Sequence, residues 1–387
     1  MKIFVIPSSY KSEFNTQSNI FVHEQCEALI KRGHEVVVLD ATTRSFKQWG
    51  NKTCAVPKIR QEGSVKVYSY WVRGIAKSRL PKLATAQYKH RINRLWKIAV
   101  KNEGMPDVIY AHFTFPSAYC AIDISKKYNV PIVTMEHGGM YLNKKVHPYI
   151  INQLCRTVND SDCFFCVSSV QADRIKALTG YDGSLAVVPN MISDIFKYYP
   201  AETDGDFTFF SAGNLKTVKR FDLLIDAFCN AFSSDDSVKL RIAGDGDQRD
   251  ILEEKIKHNG RAHQISLIGR LNREEMLDEY KRCNVFAIAS EHESFGIVSR
   301  EATACGRPVV STMNGGINDG WSDEFGYLVP LNDVNAYSEA LKSAYQNYSS
   351  FSQKRISDKT LEYCSQKNVM DIIENLLINA GESHAGE

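Results

Sequence analysis

The chain lacks the marks of several protein classes. No run approaches the ~18 consecutive apolar residues of a membrane-spanning helix. The opening Met1-Lys2-Ile3-Phe4-Val5-Ile6-Pro7 falls short of the apolar core of an export signal, about 7–15 residues, and reads as a first strand. Glycine is absent until Gly33, so no G-x-G-x-x-G follows that strand and a NAD-type Rossmann enzyme is disfavoured. Net charge is only +2 over 387 residues, and no base-stacking or groove-reading motif is present, which argues against a nucleic-acid partner. Between Gly63 and Asn102 there is no acidic residue at all. Cysteine is not scarce, but the ten are scattered. Without an export signal they read as reduced, buried small hydrophobes. Cys163 and Cys166 form a C-x-x-C inside the strand-like Cys163-Phe-Phe-Cys-Val167, which speaks against a redox or metal pair. The expected location is cytoplasmic, at most peripheral at the inner face of the cell membrane.

With 43% hydrophobic and 24% charged residues the chain is ordinary for a globular protein, and its length suggests about two domains. The near-neutral sum hides a split. Residues 1–195 carry 26 lysines and arginines against 15 acids, and residues 196–387 carry 21 against 30. Strand-like runs alternate with amphipathic helical ones. Strands are expected at 2–7, 35–39, 65–72, 107–111, 131–135, 163–168 and 185–189, and helices at 18–32, 83–102, 116–128, 146–158 and 169–178. After a polar, proline-containing stretch through residues 200–206 the pattern restarts. Strands follow at 207–212, 238–243, 265–269, 284–289 and 308–311, with helices at 219–232, 247–258, 273–282, 296–305 and 334–346. Two more helices close the chain. Continuously apolar strands suit parallel strands buried on both faces. The fold class is therefore α/β, with two Rossmann-like doubly wound domains, 1–195 and 196–365, facing across a ligand cleft. A terminal helix at about 366–380 is expected to pack back on the first.

The most informative segment runs Ser290-Glu-His-Glu293-Ser294-Phe295-Gly296-Ile297-Val-Ser-Arg-Glu301, continuing to Gly306-Arg-Pro-Val-Val310. It reads as strand end, loop, helix, glycine stop and next strand. The loop offers backbone N–H groups at a helix N-terminus, which suits a phosphate. An ionised carboxylate accepts two hydroxyls at once, so the two glutamates could hold sugar or ribose. The plainer reading is an acidic surface loop capping a helix. The glycine, proline and strand context favours the first.

This segment resembles the signature of retaining family-4 glycosyltransferases of GT-B fold, especially the phosphatidylinositol mannosyltransferase type. The resemblance implies a nucleotide-diphosphate sugar donor bound by the second domain. Glu301 would take the ribose hydroxyls, Glu293 would face the transferred sugar, and the backbone of Phe295, Gly296 and Ile297 would hold its phosphate. Ser211-Ala-Gly213-Asn214-Leu-Lys-Thr-Val-Lys219-Arg220 is similar to the family's diphosphate-facing loop. Lys219 matches the lysine, Asn214 stands where an arginine is usual, and Arg220 where a glycine is. Lys216, Arg220 or Arg270 would have to compensate. Gly244 and Gly269-Arg270 match loops near the nucleotide, and Met313-Asn-Gly315-Gly316 the late glycine pair. Asp245-Gly-Asp247 and Asp204-Gly-Asp206 are similar to a metal-binding Asp-x-Asp, but read better as turns or caps. No cofactor and no essential metal are expected.

In the first half, strands ending at His112 and at Glu136-His137-Gly138 match positions near sugar and acceptor, giving catalytic candidates His137 and His112 beside Glu293 and Lys219. Pro189-Asn190 matches a structural Pro-Asn. Asn19 stands in for a glycine before Ile20-Phe21, and asparagine tolerates the left-handed backbone. The expected acceptor is a glycan or lipid-linked glycan in cell-surface polysaccharide synthesis. The acid-free stretch places Lys89, Arg91, Arg94, Lys97 and Lys101 off the apolar face of one helix, so residues 77–101 would meet anionic membrane. The alternatives are a nucleotide-sugar epimerase of the same architecture and a non-catalytic donor or glycan binder.

Overall fold

A computed structural model describes residues 1–11, 19–44, 56–73, 80–143, 145–202, 205–233, 235 and 237–385. It divides into a unit of Met1–Met191 with Gln366–Glu387 and a unit of Ile192–Ser365.

In the first unit the strands are β1 (Lys2–Pro7), β2 (Glu35–Asp40), β3 (Thr43–Arg44), β4 (Lys58–Glu62), β5 (Val65–Ser69), β6 (Val72–Arg73), β7 (Val108–His112), β8 (Ile132–Glu136), β9 (Cys163–Cys166) and β10 (Ala186–Val187). The sheet order is β10-β9-β8-β7-β1-β2-β5-β4, parallel except for β4 against β5. Helices α1 (Ile20–Lys31), α2 (Pro81–Glu103), α3 (Tyr119–Tyr128), α4 (Pro148–Asp160) and α5 (Ser169–Thr179) connect the strands, and α12 (Gln366–Ala385) returns to pack on α1, β7 and β8. Ile3 to Ile6 are fully buried because helices cover both faces of β1. Trp96 of α2 meets Phe4 edge-on, ring centroids 5.4 Å apart, within a core that includes Tyr88, Ile92, Leu95 and Ile109. Each such side chain contributes roughly 1.5–3 kcal/mol on burial.

The second unit holds β11 (Phe207–Ala212), β12 (Val238–Ala243), β13 (Ile265–Gly269), β14 (Val285–Ile288), β15 (Val309–Thr312) and β16 (Gly326–Val329) in the all-parallel order β13-β12-β11-β14-β15-β16. Its helices are α6 (Phe221–Ala231), α7 (Arg249–His258), α8 (Arg273–Arg282), α9 (Ile297–Ala304), α10 (Val334–Gln346) and α11 (Gln353–Cys364). In each sheet the order reverses beside the first strand of the unit, between β1 and β7 and between β11 and β14. Ligand crevices form at such switch points, beyond the carboxyl ends of the strands.

Several expectations need correction. Arg91 does not belong to a basic surface. It is buried and donates to the Ala41 carbonyl (3.0 Å) and the Thr43 hydroxyl (2.6 Å), because α2 must satisfy a backbone carbonyl that the sheet leaves free at the end of β2. Lys89 is exposed but paired with Asp123 at 2.5 Å. The strand expected over 65–72 breaks after Ser69. The helix expected from 116 starts at Tyr119, because Pro116 holds Phe115 extended (φ −102°, ψ 124°). Neither β4 nor β16 was anticipated. Cys166 lies buried in β9, and the nine described cysteines are free thiols; Cys54 is outside the described residues. Among the described residues no helix is long and apolar enough to cross a membrane.

Candidate active site

The segment after β11 and the segment after β14 leave the second sheet side by side at its switch point. They are joined by the Glu291 N–H, which donates to the Val218 carbonyl at 2.9 Å. The loop after β12 stacks on the first of them. Gly244 N–H donates to the Gly269 carbonyl at 2.7 Å, and a Cβ on Gly244 would lie 1.9 Å from the Gly213 oxygen. Only glycine permits that approach. Lys219 lays its stem over Gly213 and brings Nζ to 2.6 Å from Glu293 Oε1. The Ser290 hydroxyl donates to the same oxygen at 2.7 Å. Sequence reading gave Lys219 and Glu293 separate tasks, and the fold makes them one ion pair, 22% and 12% exposed. An ammonium has three donors, so one contact with Glu293 leaves it able to meet an anion.

Gly296 takes the left-handed conformation (φ 79°) that turns the chain into α9, while Phe295 is buried and Ser294 and Ile297 are half-exposed at its entrance. The Ser299 and Arg300 N–H groups return to the Gly296 carbonyl at 3.0 and 3.1 Å, so the first-turn donors left without a partner inside the helix are those of Ile297 and Val298, a few residues after Glu293. The wall behind is the turn at Asn314–Gly316: Glu293 N–H donates to the Asn314 carbonyl at 3.0 Å, and a Cβ on Gly316 would lie 2.7 Å from both the Glu293 oxygen and the Phe295 nitrogen.

Glu301 sits inside α9 and is only 3% exposed. The Arg273 guanidinium contacts its Oε1 and the Tyr280 hydroxyl reaches Oε2 at 3.1 Å. Neither Arg273 nor Tyr280 was singled out from sequence. The one local signal was the capping box of Asn272 and Glu275, which makes Arg273 the first residue of a helix but says nothing of Glu301.

Arg220 takes the left-handed backbone (φ 49°) that a glycine adopts without strain. Its guanidinium is held by Asp222 at 3.0 Å, Glu291 at 3.6 Å and the Asn332 side chain, and it is therefore committed. Asn214 and Lys216 are exposed. Arg270 is 64% exposed, 3.7 Å from Asp245, so Lys216 and Arg270 remain as cations able to swing toward an anion. Asp245 accepts from the Gly246 N–H at 2.9 Å, as in a turn; Asp204 lies outside the described residues.

In the first unit, His112 ends β7 and His137 follows β8, two neighbouring strands. His112 Nδ1 and His137 Nε2 are 2.9 Å apart, and His137 Nδ1 is 2.7 Å from Asn190 Oδ1. The rings are stacked and buried. Burial pushes His137 down to about 3 and His112 well below the usual imidazole range. Both are neutral at pH 7. Asn190 thus belongs to this chain of contacts. Beside it the buried Glu136 carboxylate accepts from the N–H groups of Thr114 and Gly138, both at 2.6 Å. Asn19 is left-handed (φ 49°) at the start of α1, its side chain donating to the Ser9 carbonyl at 3.0 Å. Residues 12–18 of that loop lie outside the described residues.

Comparison with known proteins fits this layout. The profile described as Glycosyltransferase Family 4 matches residues 18–194, and that described as Glycosyl transferases group 1 matches 196–362. The chain belongs to the family-4 glycosyltransferases. This glycosyltransferase is 25% identical over 362 residues to a Bacillus subtilis protein proposed as a teichuronic acid biosynthesis glycosyltransferase, covering 88% of each chain. It is 26% identical to a D-inositol 3-phosphate glycosyltransferase of Xylanimonas cellulosilytica, covering 84% of this chain and 82% of that one. Its fold is that of GT-B glycosyltransferases. It superposes on a sucrose-phosphate synthase of Thermosynechococcus elongatus with TM-score 0.82 and 16% identity, covering 99% of both chains. On HepE of Anabaena, solved with UDP and glucose, the TM-score is 0.74 at 15% identity, covering 98% of this chain and 100% of that one.

Proposed function

We propose that this glycosyltransferase moves a sugar, with retention of its anomeric configuration, from a nucleotide-diphosphate sugar to a glycan or lipid-linked glycan in cell-surface polysaccharide synthesis. The observation that carries the reading is the convergence at the β11/β14 switch point of the Lys219–Glu293 pair and the first turn of α9, with Glu301 farther along the same helix. Charge develops on a departing diphosphate. A fixed ammonium and aimed N–H groups favour that charge without reorganising. Glu293 orients Lys219 and faces the transferred sugar, and Glu301 takes the ribose. The diphosphate oxygen, released on the same face, receives the acceptor proton. In this reading the side-chain cations and the helix terminus do the work that a metal does elsewhere. HepE, solved with UDP-glucose, and the Bacillus subtilis relative support the donor class and the pathway class respectively.

The test is a thermal-shift screen of UDP, GDP and ADP sugars against the native protein and Glu301→Gln. One nucleotide class should stabilise the native protein, and the variant should lose most of that response. Absence of any response would count against the reading, and NMR of the anomeric proton in the product decides retention. We also propose contact of the first unit with anionic membrane. The face has Lys82, Leu83, Arg94, Lys97 and Lys101 exposed on α2, without Arg91. Neutralising Lys82, Arg94, Lys97 and Lys101 should abolish cosedimentation with anionic liposomes, and unchanged binding would dismiss the face.

A further inference from the structure

Arg273 opens α8 behind its Asn272 cap and aims its guanidinium inward. The group lies over the Phe196 ring, 5.1 Å from its centroid, and contacts Glu301 Oε1. Tyr280 stands seven residues, or two turns, farther along the same helix face. Its hydroxyl is within reach of both Glu301 Oε2 (3.1 Å) and the Val298 carbonyl (3.0 Å). One helix thus grips both oxygens of a carboxylate that belongs to another, and fixes its plane.

The grip has a chemical consequence. A carboxylate removed from water is costly unless paired, and otherwise gives way to the neutral acid. The neutral acid donates through one oxygen and is a poor acceptor for two hydroxyls. A guanidinium keeps its charge under any physiological condition and binds carboxylates through planar, directional donors. A carboxylate has about four acceptor directions, so it can hold Arg273 and Tyr280 and still meet a vicinal diol.

We infer that Arg273 is a positioning residue for ribose recognition. It holds the Glu301 carboxylate charged and oriented to accept the 2′- and 3′-hydroxyls of a nucleoside diphosphate, and so sets the preference for ribose over deoxyribose without touching the nucleotide. The inference rests on the reading of Glu301 as the ribose carboxylate. It also separates two parts of donor binding. The phosphate end depends on Lys219 and α9, and the ribose end depends on a helix whose own sequence carries no nucleotide motif.

The experiment measures affinity by calorimetry for matched pairs, UDP with 2′-deoxy-UDP and likewise the GDP and ADP pairs, on the full chain. The wild type should prefer the ribonucleotide by at least ~10-fold, the loss expected when a charged acceptor loses its hydroxyl. Glu301→Gln should bring that ratio near one. Arg273→Ala should do the same by weakening the ribonucleotide ~10-fold and leaving the deoxynucleotide unchanged, with native circular dichroism. Arg273→Lys, which keeps charge but not the planar fork, should give an intermediate ratio, and it carries the test if the alanine variant does not fold. A ratio preserved in both Arg273 variants but lost in Glu301→Gln would overturn the role of Arg273 alone. Tighter ribonucleotide binding in Arg273→Ala would overturn it too, since the arginine would then be a competitor of ribose. A wild type without ribose preference, or a preference that survives Glu301→Gln, would overturn the reading of Glu301 and this inference with it.

Discussion

His137 spends both ring nitrogens on its own unit, one on His112 and one on Asn190. With Asn190 Oδ1 accepting, the proton sits on His137 Nδ1, His137 Nε2 accepts from His112, and His112 Nε2 is a buried acceptor with no partner among the described residues. A sugar hydroxyl can reach His137 only by displacing one of these contacts. The pair also has a pH signature. An unfolded histidine takes a proton near pH 6.5, whereas His137 resists until about 3 and His112 is likewise depressed. Between those values the unfolded chain binds protons that the native one does not, so stability falls as pH falls. The slope is about 1.4 kcal/mol per pH unit for each histidine. Glu136, raised by burial, works in the opposite sense, since the native chain takes up that proton above the ordinary carboxyl range and the unfolded chain does not. Urea midpoints at pH 7 and pH 5 should show the loss in the wild type, and His137→Gln should show less of it; equal midpoints in the wild type would refute the assignment. At the other candidate site, Lys219→Ala should lower the transfer rate by ~10²–10³ in a steady-state assay, with native thermal stability. Lys219 and Glu293 were each visible in sequence. Their pairing was not, because 74 positions separate them and only the adjacency of β11 and β14 closes the distance. Arg91 misled for the complementary reason: a helical wheel shows that a residue is off the apolar stripe, but not that a strand end has a carbonyl waiting for it.

Among the elements, long periodic helices and apolar strands were readable because their period reports the buried face directly. The elements that escaped had no such period. The strand β4 (Lys-Ile-Arg-Gln-Glu) is a polar edge strand paired with the antiparallel β5, and β16 begins on a glycine. The Asn314–Gly316 turn escaped as a structural part for a different reason. Its glycines were noticed, but their function is to let another segment pass. Gly316→Ala puts a Cβ 2.7 Å from the backbone that carries Glu293 and Phe295, so that loop must move. A displacement near 1 Å at a reacting group costs on the order of 10²-fold in rate. We expect Gly316→Ala to lose about that much activity while melting within a few degrees of the wild type, and an unimpaired variant would show that the turn is only a neighbour of the site.

At the scale of the whole molecule, the chain leaves its first unit at Met191 and returns to it at Gln366. The returning helix α12 buries Val369, Met370, Ile373 and Leu377 completely. It is also tied to Arg32 by Asp371 (2.7 Å) and Glu374 (2.5 Å), and to His34 by Glu374 (2.7 Å). Four buried apolar side chains at roughly 1.5–3 kcal/mol each rival the entire stability of a typical domain, about 5–15 kcal/mol. A fragment of residues 1–191 should therefore fail to fold cooperatively, whereas residues 192–365 should unfold cooperatively alone; heat-capacity scans of both decide it. The charge split is only partly spent on a basic surface, since Lys66 and Lys89 neutralise Glu103 and Asp123 and Arg91 is interior. The sequence by itself determined the α/β alternation, the order of the elements and the spacing of Glu293 and Glu301, because each of these is a local pattern. Tertiary structure alone decided who meets whom: Lys219 with Glu293, Arg273 with Glu301, and His137 with His112 and Asn190. Those partners stand 25 to 74 positions apart. What joins them is the lateral order of strands in a parallel sheet and the packing of helices upon it, a property of the assembled sheet that no single segment carries.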